Sequence, residues 1–281
     1  MVIPTLGRGI LRQSLESLES GEVWPACVIV VDQGRNADVE ALLAEIRERG
    51  LYTRYEPSSQ RGRAAGVNRG IEMTETRFVA VTDDDCLVAP DWVARMAACL
   101  RAHPGAIVTG RVDAGEGDVV LSVVTSVEPA IQRRPSLRFD RMSGGNMGMP
   151  TALRTEVGPF DEDPCVRAAE DVEFSYRALR AGVPIVYAPG VAVRHLGWRG
   201  PEEREAQYRN YARSHGGFFG KYLHRHDYFV ALRAAVHLLR ATRRWLVGTI
   251  RGDRDVALNG RAYVLGLLPG IVAGWRSEVR P

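Results

Sequence analysis

RFVAVTDDDCLVAPDW, residues 77–92, runs from an apolar segment straight into three consecutive carboxylates. Residues 77–82 have the length and composition of a buried strand, and a helical pattern starts after Pro90. Like charges side by side repel, and a soluble turn needs only one of them. Asp83, Asp84 and Asp85 therefore call for positive partners, and the strand before them fixes where those partners must come.

The same alternation extends on both sides. MVIPT reads as a strand and ILRQSLESLES as a helix; CVIVVD (27–32) is a continuous apolar run expected of a strand buried on both faces. NADVEALLAEIRERG is a helix closed by Gly50, YTRYE a strand, 63–74 a helix, and AIVTGRV a strand. AEDVEFSYRALRAG is a helix ending at Gly182, followed by the strand VPIVYAP. The pattern predicts an α/β fold, a Rossmann-like, mostly parallel sheet flanked by helices. A catalytic domain is expected over 1–200, with a helical extension over 201–281. In such sheets ligands gather beyond the C-terminal ends of strands, which selects Pro4, Thr5, Asp32 and Asp83 to Asp85.

Composition sets the outer bounds. The 281 residues are 45% hydrophobic and 25% charged, enough to bury a sizeable core. Cysteines 27, 86, 99 and 165 form no CxxC pair, and we read them as reduced thiols of a cytosolic protein. The first apolar run stops at Pro4, which predicts no signal peptide. From Arg204 to the end, 14 Lys+Arg face 5 Asp+Glu, leaving 23 against 29 in the first 203 residues. That polarity suits a bilayer surface or a polyanion, and equally a solvated arginine-rich face. In 228–250, Leu232, Val236, Leu239 and Leu246 share one face while Arg233, His237, Arg240 and Arg244 share another. Peripheral membrane contact at the inner face, packing against the catalytic domain and homodimer packing through these helices all fit. The segment 263–275, YVLGLLPGIVAGW, reads as too short and too broken by Pro and Gly to span a bilayer.

A carboxylate cluster at a strand end suits a hard cation, Mn²⁺ or Mg²⁺, held by one or two protein ligands with room for phosphate oxygens. Arg61 and Arg63 precede a helix start and suit anions. Gly144, Gly145 and Asn146 in GGNMGM combine close backbone approach with an amide. Glu170 and Asp171 open a helix, where a carboxylate is stabilised and can also serve as a general base. His195 ends GVAVRH ahead of LGWRG, read as a mobile loop that includes Trp198.

Taken in order, VIPTLGR, VIVVDQG, RGRAAGVNRGI, VTDDDCLVAPDW, GGNMGMPTALRTEVGPFDE and AEDVEFSYRALRAG resemble family 2 glycosyltransferases of the GT-A fold, over roughly 1–200. The resemblance implies inverting, metal-dependent transfer from a nucleoside-diphosphate sugar, with UDP or dTDP ahead of GDP. It implies that Pro4, Thr5, Asp32, Arg61, Arg63, Asp83 and Asp84 line the nucleotide site, Asp84 least defined. Asp85 and His195 would hold the metal; Gly145, Asn146 and Trp198 would lie by donor sugar and acceptor; Asp171, with Glu170 beside it, would be the base. QxxRW is absent, so one sugar per binding event is expected. The acceptor stays open among a saccharide, a lipid-linked saccharide and a small molecule; no nucleic-acid partner is implied. A sugar-phosphate nucleotidyltransferase and a non-catalytic nucleotide-sugar-binding protein are the competing readings.

Overall fold

The computed structural model describes residues 1–115, 123–197 and 203–279. The chain divides into two compact units. The first takes Met1–Arg134, Arg141–Phe160 and Phe174–Trp198; the second takes Pro135–Asp140, Asp161–Glu173 and Arg199–Pro281. Two short segments of the first 200 residues thus belong with the C-terminal helices, a grouping that a single cut at 200 does not capture.

The first unit is built on a sheet in the order β3 (Thr53–Pro57), β2 (Val28–Asp32), β1 (Val2–Thr5), β4 (Phe78–Thr82), β8 (Asn146–Pro150), β6 (Ile107–Ala114), β9 (Ile185–His195), β5 (Cys86–Val88), with β7 (Ala130–Gln132) also on β9. Pairing is parallel from β3 to β4 and between β6 and β9. It is antiparallel at β4–β8, β6–β8, β5–β9 and β7–β9, so the sheet is mixed, its expected parallel character confined to these runs. The reason is local: β8 follows the irregular middle of the chain and enters between β4 and β6 from the opposite end.

Side-chain alternation divides the core between the two faces. Val28 and Val30 pack with Leu11, Leu15 and Leu18 of α1 (Leu11–Glu19), Leu43 of α2 (Ala37–Glu48) and Trp92 and Met96 of α4 (Trp92–Ala102). Ile29 and Val31 pack with Val67 and Ile71 of α3 (Arg63–Glu72) and with Phe174 of α6 (Glu170–Arg180). Between α3 and α6 lies the short α5 (Leu153–Glu156). Asn36 caps α2 by accepting from the Asp38 amide, and Gly50 and Gly182, with φ of 106° and 85°, close α2 and α6 where the sequence places helix ends.

The second unit is dominated by α7 (Arg204–His224), α8 (Tyr228–Arg251) and α9 (Arg254–Val279). Residues 135–140 are tied to α8 by an ion pair between Asp140 and the fully buried Arg233, at 2.8 Å, whose guanidinium lies over the Phe218 ring. The segment 161–173 is tied to α7 through Lys221, 2.5 Å from Asp161, and through the Tyr222 hydroxyl, which donates to Glu173 at 2.7 Å. The helix α9 continues through Pro269, which overturns the reading of 263–275 as short and broken. Arg254–Glu278 is the one helix among the described residues with the length and apolarity to cross a membrane, a test that core helices also pass. Its glycines serve packing: a methyl at Gly270 would lie 2.2 Å from the Arg213 carbonyl oxygen, and one at Gly274 2.0 Å from that of Gly217.

Two predictions follow from these contacts. Gly270→Val should destabilise by about 1–3 kcal/mol in urea unfolding, whereas Gly105→Ala, which meets no atom within 4 Å, should stay within about 0.5 kcal/mol. Burial holds His215 down at about 3 and His237 at about 4, the latter also facing Arg233, Arg240 and Arg244. A depressed folded pKa contributes stability that is complete above the unfolded value of about 6.5 and is lost as pH falls below it. Thermal melts should therefore drop between pH 6.5 and 4, and His237→Gln should flatten that slope.

Candidate functional site

The three aspartates that follow β4 draw on different partners, with Arg8 shared by Asp84 and, at 3.8 Å, Asp85. Asp83 receives Arg63 Nε at 2.7 Å from the first turn of α3. Asp84 is buried: it accepts from the Thr5 hydroxyl at 2.6 Å, at the end of β1, and is ion-paired with Arg8. Burial pushes its carboxyl up, against the pull of Arg8 and Thr5. Asp85 faces His195, whose Nε2 lies 3.5 Å from Oδ1.

Sheet register makes that last pairing. β5 runs antiparallel to β9 with Cys86 opposite His195, and the Leu196 amide donates to the Asp85 carbonyl at 2.8 Å. Two groups more than 100 residues apart in the chain thereby share one point. The ligand atoms of Asp85, Cys86 and His195 all lie within 4.8 Å of one another. Burial drives the Cys86 thiol well above its ordinary pKa, so it stays protonated and offers a poor ligand. A carboxylate and an imidazole 3.5 Å apart fit neighbouring positions on one divalent ion, with the remaining positions open to water and phosphate oxygens.

Other expected residues support the site from behind. Asp32 is fully buried, and its carboxylate accepts from the amides of Gly34 (2.8 Å) and Asn36 (2.6 Å) and from the Tyr55 hydroxyl (3.1 Å). It holds the loop after β2. Pro4 is buried, close against Gly66, where a methyl would sit 2.8 Å from its Cβ. Arg61 is exposed. Gly144 and Gly145 follow the Arg63–Asp83 pair closely: a methyl on either would lie 2.8 Å from Arg63 Nη1 or Asp83 Oδ2.

Asn146 departs from expectation. Its side chain is fully buried, accepting from Trp92 Nε1 at 2.9 Å and donating to the carbonyls of Arg111 (2.9 Å) and Val191 (2.8 Å). The amide knots β8, β6 and β9 together and is not presented to a donor sugar. Trp198 lies outside the described residues. Glu170 and Asp171 open α6 and belong to the second unit; Glu170 is buried, and Asp171 Oδ1 accepts from the Val172 amide at 2.8 Å. Sequence reasoning missed Arg8, Trp92 and Gln33, whose amide donates to the carbonyls of Gln60 (2.7 Å) and Gly62 (2.8 Å) and so links two strand-end loops. Arg8, three residues after Thr5, carried a signal: a cation on the loop after the first strand.

Comparison with known proteins gives a consistent picture. A family model described as glycosyltransferase-like family 2 matches residues 1–217. A pre-mycofactocin glycosyltransferase of Mycobacterium tuberculosis is 28% identical over 177 residues, 60% of this chain. The chain covers 37% of that relative's length. Among solved structures, residues 1–349 of S. aureus TarS align with a TM-score of 0.58 at 16% identity, over 93% of this chain and 89% of that one. The mannosyltransferase PcManGT from Pyrobaculum calidifontis, in complex with GDP-Man and Mn²⁺, aligns with a TM-score of 0.59 at 17% identity, over 99% and 86%. GalNAc-T7 with UDP, GalNAc and Mn²⁺ aligns at 0.57 and 19%, over 76% and 46%. These likenesses establish the GT-A fold.

The unequal partners of the aspartates predict unequal losses. With a nucleoside diphosphate present, Asp85→Asn should abolish Mn²⁺ binding measured by electron paramagnetic resonance. Asp84→Asn should keep that affinity within a few-fold while lowering the melting temperature, because Arg8 loses its nearer carboxylate and keeps only Asp85, 3.8 Å away.

Proposed function

We propose that this chain, which belongs to glycosyltransferase-like family 2, transfers a sugar from a nucleoside diphosphate to an acceptor hydroxyl with inversion at the anomeric carbon. The observation that carries this reading is the Asp85–His195 pair at a strand-end cluster, with Arg63 bound to the neighbouring Asp83. A UDP- or dTDP-sugar is the leading donor. Support for a divalent ion also comes from the Mn²⁺ in PcManGT and GalNAc-T7. A bound Mn²⁺ or Mg²⁺ would supply charge compensation to the departing diphosphate.

The chain's own residues account for the rest. Arg63, with Arg61, gives the donor phosphates a basic setting, and the buried Asp32 keeps the loop after β2 in place for the nucleoside. Asp171 is the general base: as the acceptor oxygen bonds to the anomeric carbon, its proton passes to the Asp171 carboxylate. The bond to the diphosphate oxygen breaks, and the leaving group carries away its electron pair. Glu170 supports the base from the same helix turn. Positioning and charge stabilisation carry most of the acceleration.

Incubation with a panel of UDP-, dTDP- and GDP-sugars and Mn²⁺ should release nucleoside diphosphate. Release of pyrophosphate from a nucleoside triphosphate would instead favour a nucleotidyltransferase, and no turnover of any donor a scaffold. Asp171→Asn should leave donor binding by thermal shift intact and lower transfer by about 10²–10⁴-fold; wild-type turnover by that variant would remove Asp171 from the role.

A further inference from the structure

The helix α8 is turned inside out. Its basic face, Arg233 and His237, is buried within the helical unit, and its apolar face points away from it. Tyr228, Leu232, Leu239, Leu246 and Ile250 are each more than half exposed. Their spacing places them within about 40° on the helix wheel, a stripe about 33 Å long. The residues that α8 sets against α9 lie on its other side: Ala241 and Trp245 approach Gly260, and Gly248 approaches Ala257. A water-soluble surface helix has the reverse arrangement, so this stripe requires a cover.

Charge identifies the cover. From Tyr228 to Arg251 the helix has five arginines and no acidic residue. Only Arg233 is neutralised, by Asp140. Arg240, Arg243, Arg244 and Arg251 have no carboxylate partner among the described residues, nor does the exposed Arg138 on the neighbouring segment. Partial burial, and after it the repulsion of Arg138 and Arg244, holds the Arg240 guanidinium below its ordinary range. A second copy docked through the same stripe would bring two such acid-free helices together, like charge against like. An anionic lipid surface instead supplies both missing partners, acyl chains for the stripe and phosphates for the arginines. Arg243 and Arg251, both exposed, are long enough to lay their stems along apolar surface and reach the headgroups.

We propose that α8 is a bilayer-surface helix, lying in the plane of an anionic phospholipid membrane with Tyr228, Leu232, Leu239, Leu246 and Ile250 at the acyl boundary. The exposed Arg243 and Arg251 then meet the headgroup phosphates, while Arg244 keeps its guanidinium over the buried Tyr263 ring. This reading goes beyond sugar transfer and is tested without donor or acceptor.

The test is flotation of the full chain with vesicles of phosphatidylcholine, with and without phosphatidylglycerol. The protein should float with the phosphatidylglycerol vesicles, remain behind with phosphatidylcholine alone, and release as salt rises. L239E/L246E should weaken partitioning about tenfold or more, and R243Q/R251Q by several-fold per arginine. Both variants change exposed side chains and should melt like the parent. The proposal is overturned if the parent stays in the bottom fraction with both vesicle types, or if L239E/L246E floats as the parent does. It is also overturned if light scattering detects a dimer, split by L239E/L246E, in a protein that binds no vesicle; a second copy would then be the cover.

Discussion

Three successive carboxylates can be packed at one strand end only if each finds a separate source of positive charge or hydrogen bonds. The first unit meets that constraint by drawing partners from three directions: Arg63 from α3, Thr5 and Arg8 from the end of β1, and His195 from β9. Parallel pairing of β1 with β4 brings two of those strand ends to one level, and antiparallel pairing of β5 with β9 brings the third. Stability and chemistry draw on the same arrangement. Asp84, the most buried, has one partner at the end of β1 and one on the loop after it, and Asp85 faces an imidazole suited to share a cation.

Much of this was legible because the governing signals are local. Apolar runs of four to six residues mark the strands of the first half, helical spacing marks α2, α4 and α6, and the aspartates advertise themselves by composition. Partners remote in sequence were not legible. Nothing around Trp92 indicates that its indole will meet an amide 54 residues away, and nothing in GGN separates an amide facing a ligand from one spent inside a sheet. Asn146 is spent inside. The mixed pairing of the sheet was hidden for the same reason, since strand direction at β8 follows from how the irregular middle returns.

The helical unit shows a different limit. A two-faced pattern in 228–250 was plain, but periodicity cannot say which face turns inward. That was decided by a carboxylate 93 residues away, Asp140, which gives Arg233 a buried ion pair. Removing one member of such a pair leaves an uncompensated charge, so Arg233 stays fixed to residues 135–140 and the rest of α8 follows its orientation. Glycine and proline in 263–275 misled for a related reason. They weaken an isolated helix, yet in α9 the missing side chains admit the backbone of α7 at distances no larger residue allows.

The glycines at 144 and 145 bring the two halves of the sequence reading together. They were read as allowing close backbone approach, with Gly145 by the donor sugar, and the carboxylates as a separate cation site. In the fold, Gly144 lies against the Arg63 guanidinium and Gly145 against the Asp83 carboxylate, while the Gly145 carbonyl accepts from the Thr82 hydroxyl at 2.8 Å. A side chain at either position would press on the end of the Arg63 or Asp83 side chain, the two groups of the ion pair that satisfies Asp83. Thr82 also pairs with Asn146 across β4 and β8, so the glycines adjoin the strand that leads into the aspartates. The glycine pair therefore packs directly on the ion pair of the aspartate cluster, whatever sugar is bound.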